Sequence, residues 1–117
     1  MTLRTHDITV LVVDDPYVRS FVRTLLERHG YKVIATDLAS GLELVSTGGT
    51  QIDVLITNQP AAFAGHSRDL PLVYIAAFPE ESLALPFHRR RLLSKPFAPQ
   101  QLLRALDDLV NDGALVH

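Results

Sequence analysis

The chain reads as an α/β protein, a doubly wound five-stranded parallel sheet, and three observations predict it. Short β-branched apolar runs alternate with segments of helical period along the whole chain, as βαβ units require. The runs are continuous instead of alternating with polar residues, which suits strands buried on both faces. Polar residues stand where the runs stop: Asp14-Asp15, Asn58 and Lys95. Ligands and chemistry collect beyond the carboxyl ends of strands in such a sheet.

Ile8–Val13 is the first strand, ending at Asp14-Asp15-Pro16. Val18, Phe21, Val22, Leu25 and Leu26 then share one helical face, with Asp15 as its cap and Pro16 at its first position. Arg28 and His29 fill the last turn and Gly30 ends it. Tyr31–Ala35 is a second strand. Leu38–Val45 is a short helix with Leu42 and Val45 inward, closed by Gly48-Gly49. Ile52–Thr57 is the third strand.

Ala61–Arg68 has no strong helical face, so the crossover there is a short helix or an irregular loop. Pro71 introduces a fourth strand, Leu72–Ala76. Pro79–Leu85 reads as a brief helix with Glu80-Glu81 in its first turn, and Arg91–Ser94 as a short fifth strand. Pro99 opens the last helix, whose inward face is Leu102, Leu103, Leu106, Leu109 and Val110.

At 117 residues the chain is expected to be one domain, 1–117, with its core at about 8–110. A net charge of −2 gives no reason to expect nucleic-acid or membrane-surface binding. Without cysteine there is no disulfide, thiol catalysis or cysteine-ligated metal. No apolar run approaches a membrane span. Met1–Asp7 is polar and charged, unlike a secretory signal, so a cytoplasmic protein is expected.

Carboxylates like Asp14 and Asp15 suit a hard cation, but for the pair taken alone a helix cap plus a solvated turn acid is the favoured reading. A lysine such as Lys95 at a strand end is ordinarily solvated. The convergence of Asp14, Asp15, Asn58 and Lys95 on one sheet edge favours a shared site. The five histidines show no metal-ligand spacing. Arg89-Arg90-Arg91, preceded by His88, is the only basic run. It is either a solvated turn or a docking patch for an acidic protein surface or anionic ligand. Phe78, Phe87 and Phe97 lie near it in sequence.

Together, Val-Val-Asp-Asp (12–15), the strand ending at Asn58, Pro-Leu-Val-Tyr-Ile-Ala-Ala (71–77) and Lys-Pro-Phe (95–97) resemble the receiver domain of two-component response regulators. The resemblance runs from about Thr9 to Val110. It implies a flavodoxin-like sheet of order 2-1-3-4-5 and a cis Lys95-Pro96 bond; the third crossover helix is shortened here, a departure from the family. In the family an acidic pair and a phosphoacceptor aspartate bind Mg²⁺. A hydroxyl residue after the fourth strand and the lysine hold the phosphoryl group, and an aromatic residue on the fifth strand reports the change to partners.

This sequence departs from that pattern at each step. Asn58 stands at the phosphoacceptor position, Ala76 at the hydroxyl position and Leu92 at the aromatic switch position. The loop after Asp15 is one residue short, which leaves open how Asp14 and Asp15 match the acidic pair. An amide is not nucleophilic, so Asn58 cannot form an acyl phosphate. Its oxygen could ligate a cation but carries no charge, so Asp14 and Asp15 would hold Mg²⁺ weakly at best and no cofactor is expected. Ala76 can donate no hydrogen bond to a phosphoryl oxygen.

Asn58 also avoids a third carboxylate beside Asp14 and Asp15. At an effective dielectric of about 20 and a separation of ~5 Å, each such repulsion is roughly 3 kcal/mol before screening. Lys95 is then free to pair with Asp14 or Asp15.

The expected function is that of an atypical stand-alone receiver in bacterial two-component signalling, acting by phosphorylation-independent protein binding and not as an enzyme. Its partner would be a histidine kinase, another signalling protein, or a second copy through the face of the fourth helix, fifth strand and last helix. One alternative is a conventional phosphorelay receiver using another acceptor, but Asp53 begins its strand and is expected far from Lys95. The other is a small doubly wound nucleotide-binding or enzyme module. No glycine-rich phosphate loop follows the first strand and no nucleophile elbow appears.

Overall fold

A computed structural model describes residues 8–115. Met1–Asp7, read above as unlike a secretory signal, lies outside the described residues. The elements are β1 (Thr9–Val13), α1 (Pro16–Arg28), β2 (Lys32–Thr36), α2 (Leu38–Thr47), β3 (Val54–Thr57), a 3₁₀ helix (Pro60–His66), β4 (Leu72–Ala76), α3 (Glu81–Ala84), β5 (Arg90–Ser94) and α4 (Pro99–Leu115). The strands form one sheet of order β2-β1-β3-β4-β5, all pairs parallel, as expected from the resemblance. The Lys95-Pro96 bond is cis, also as expected.

The alternation of side chains along each strand divides the core in two. Val10, Val12, Val54, Ile56, Val73 and Ile75 face α1 and α4, where Val22, Leu26, Leu102, Leu106 and Leu109 meet them. Leu11, Val13, Leu55, Leu72 and Tyr74 face the other way, onto Phe63, Ala84 and Phe87. Both faces of the central strands β1, β3 and β4 are therefore dry, which accounts for their continuous apolar runs.

Caps fix where the helices begin. The Asp15 carboxylate accepts from the Val18 N–H at 3.1 Å with Pro16 following. Asp37 caps α2 in the same way through the Ser40 N–H at 2.9 Å, a cap that the sequence reading passed over. Gly30 and Gly48 take positive φ values of 89° and 69° where α1 and α2 stop.

Two sequence expectations need correction. The helix expected over 79–85 is a single turn, Glu81–Ala84, followed by Leu85-Pro86. Phe21, expected to face inward, is 45% exposed and its ring lies 6.0 Å from that of Phe97 at the rim of α1. Of the two forms expected for 61–68, the crossover takes the short helix, a 3₁₀ helix that begins at Pro60. At a rise of about 2 Å per residue, its seven residues cover roughly 14 Å, enough to return the chain alongside a short strand. As an α-helix they would cover only about 10 Å. Phe63, fully buried, is its anchor.

Gly41 lets α2 approach the sheet: a Cβ placed there would lie 2.6 Å from the Val13 Cγ2 and 3.6 Å from the Phe63 ring. Val13 is buried and β-branched and cannot swing aside. Gly41→Ala is expected to lower stability by about 1–2 kcal/mol in denaturant melts, overpacking outweighing the helix-propensity gain. A neutral or stabilised variant would show that α2 is free to move outward.

Candidate functional site at the carboxyl edge of the sheet

Val13 pairs in register with Thr57, so the residues after them, Asp14 and Asn58, emerge side by side. Ala76 pairs with Ser94, and Lys95 follows, its N–H donating to the Ala76 carbonyl at 2.8 Å. Topology thus gathers Asp14, Asp15, Asn58, Ala76 and Lys95 on one edge.

Asp14 and Lys95 form the centre. The Lys95 Nζ donates to the Asp14 Oδ1 at 3.3 Å and lies 3.7 Å from the Asp15 Oδ2. The Asp14 side chain is wholly inaccessible, while that of Lys95 keeps 27% exposure. The Asp14 Oδ1 also accepts from the Asp15 N–H at 2.7 Å. Burial pushes the Asp14 carboxyl above its ordinary range, and the Asp15 N–H and the Lys95 ammonium oppose that push. Asp15 is held below its ordinary range, chiefly by the Val18 N–H it caps. The two acids therefore differ in kind: Asp14 is the buried member, and Asp15 is a helix cap that also touches the lysine.

Two buried oxygens in the cluster, the Asp14 Oδ2 and the Asn58 Oδ1, have no hydrogen-bond donor among the described residues. As a set for Mg²⁺ they fall short. One oxygen is an amide, the Asp14 charge is already offset by Lys95, and Asp15 is engaged at its cap. Among the described residues, no three His, Asp or Glu side chains are grouped to hold a metal. Thr57, fully buried, accepts the Gln59 N–H at 3.0 Å and shapes the turn that presents Asn58; nothing in its residue type alone marked it.

Other site candidates lie elsewhere. Asp53 accepts the Thr9 N–H at 2.8 Å at the amino end of the sheet, far from Lys95 as expected. Leu92 sits on β5, partly exposed. The basic run is divided. Arg90 donates to the Phe87 carbonyl at 3.0 Å, and Arg91 donates to the Arg90 carbonyl and pairs with Asp108 of α4 at 3.8 Å. The Arg89 Nε is buried without a partner. Phe87 is core, whereas Phe78 is 89% exposed in the loop after β4, and Tyr17, at the start of α1, is 90% exposed.

The fold has close relatives among solved structures. A response regulator receiver protein from Sinorhizobium medicae WSM419 is 25% identical with a TM-score of 0.73, the match covering 89% of this chain and 94% of that one. The fold is that of a response regulator receiver domain. A receiver domain protein from Clostridium thermocellum matches with a TM-score of 0.79 at 21% identity, covering 94% of this chain and 99% of that one. The signal receiver domain of an HD domain-containing protein from Pseudomonas fluorescens Pf-5 matches with a TM-score of 0.76 at 20% identity, over 97% and 93%. These last two speak for the receiver fold alone. No protein-family model matches the sequence, and no curated protein matches it.

The amide at position 58 generates a stability prediction for this receiver-like site. In a chelator, Asn58→Asp is expected to lose about 1–3 kcal/mol by repulsion with Asp14, and added Mg²⁺ to recover part of the loss. Equal or higher stability without metal, measured by chemical denaturation, would contradict the charge argument.

Proposed function

We infer that the protein is a receiver-type module of two-component signalling that works by binding a protein partner and has given up phosphotransfer. The observation that carries this reading is the end of β3. Asn58 stands there beside Asp14, and the one lysine at the edge is engaged by Asp14 and Asp15. An amide nitrogen cannot attack phosphorus as a carboxylate does. Ala76 offers no hydroxyl to a phosphoryl oxygen, and Leu92 offers no aromatic ring to report a change. Three losses along one mechanism favour abandonment of the switch over an incidental substitution. In this reading the chain is not an enzyme, and Mg²⁺ binds weakly if at all.

The residues that would have carried the switch instead hold one arrangement. Lys95 ties β5 to β1 through Asp14, and its backbone ties the same turn to Ala76. A partner would therefore meet a fixed surface. The cleft of about 460 Å³ between α3, β5 and α4, lined by Glu81, His88, Arg90, Leu92 and Leu109 and bordered by Arg89, is the docking face proposed for a signalling protein or a second copy. Arg90 and Arg91 are anchored by their internal bonds, so they would offer charge there at little cost in side-chain freedom.

Incubation with acetyl phosphate and Mg²⁺ followed by intact mass measurement tests the reading. The mass is expected to remain unchanged. Gain of one phosphoryl group, mapped to any acid at the carboxyl edge, would overturn it and restore the conventional phosphorelay reading.

A further inference from the structure

The amino edge of the sheet, opposite the Lys95 cluster, carries a second constellation. The chain leaves the 3₁₀ helix at His66 and crosses this edge as 67–71 before β4, while 88–89 leads into β5. The Leu72 N–H donates to the Arg89 carbonyl at 3.0 Å and the Leu55 N–H to the Pro71 carbonyl at 2.9 Å, which fixes the two crossings side by side. Between them lies a cleft of about 280 Å³ lined by Arg68, Asp69, Leu70, Pro71 and Arg89.

The two guanidinium groups in this cleft are the unusual feature. Neither Arg68 nor Arg89 makes an ion pair or side-chain hydrogen bond among the described residues. The Arg89 Nε is fully buried without a partner, whereas its neighbours Arg90 and Arg91 are both bonded within the chain. A buried guanidinium N–H left unmade is costly, and an oxyanion is its natural complement because the planar fork meets two oxygens at once. The Asp69 carboxylate also lines the cleft, leaving one net positive charge among these three side chains.

The same Arg68–Leu70 stretch borders a larger cleft of about 550 Å³, where Val45, Ile52 and Leu70 give apolar surface and Thr50 and His66 add polar groups. That volume lies in the range of small-molecule sites. It is open because the crossover between β3 and β4 is so short.

We propose that Arg68 and Arg89 form a binding site for a small organic oxyanion, a phosphate ester or a carboxylate, whose body lies over Val45, Ile52 and Leu70. The site does not depend on the fate of the carboxyl edge, and it would give the protein a ligand input where phosphorylation supplies none.

The test is an NMR titration of the isotope-labelled full chain, reading backbone amides and arginine Nε–H signals. Inorganic phosphate and acetate serve as separate probes, at ionic strength held constant with chloride. Saturable shifts confined to 66–70, Arg68 and Arg89 are expected. A phosphate response identifies a phosphoryl ligand, and a response to acetate alone a carboxylate. Arg68→Ala, at an exposed position, and Arg89→Lys, which keeps the charge but loses the fork, are each expected to weaken binding about tenfold. Absence of saturable shifts with both probes, or unchanged binding in both variants, would overturn the proposal.

Discussion

The contact on which the carboxyl edge depends is the bond between the Lys95 ammonium and the buried Asp14 carboxylate. An unpaired charge at Asp14 would be strongly destabilising, because its side chain is sealed from water and only one of its oxygens has donors. Lys95 removes that penalty, and in doing so it fixes the relative positions of β1 and β5 across the sheet. The bond from the Lys95 N–H to the Ala76 carbonyl holds the lysine in the same turn.

That contact also bears on the amide next to it. With Asn58 beside it, the cluster needs no metal to balance a third carboxylate. The sheet, the two-sided core and the crossover order are those of the receiver fold, and at its carboxyl edge the Lys95–Asp14 bond joins β5 to β1.

Much of this was legible in the sequence. Continuous apolar runs marked the strands because both sheet faces are covered, and strand ends named Asp14, Asn58 and Lys95 because parallel topology brings such ends together. Phe21 was misread because helical period identifies a face but not where the core beneath it stops. The 3₁₀ type of the crossover helix was not legible because only Pro60 and Phe63 of its seven residues are buried, too few to set a period. The arginine run looked uniform in sequence. Strand alternation and local carbonyls separate Arg90 and Arg91 from Arg89, whose partner in the amino-edge cleft, Arg68, is remote in the chain. The cleft follows from a crossover length, which no local pattern reveals.

The central claim is that Lys95 serves Asp14 as its counter-ion. A double-mutant cycle with Asp14→Asn and Lys95→Met, read by denaturant unfolding at neutral pH, measures that coupling directly. The account predicts a coupling energy above about 1 kcal/mol, the ceiling for exposed ion pairs. A value within about 0.5 kcal/mol of zero would mean that the pair is incidental and the lysine remains available for other chemistry.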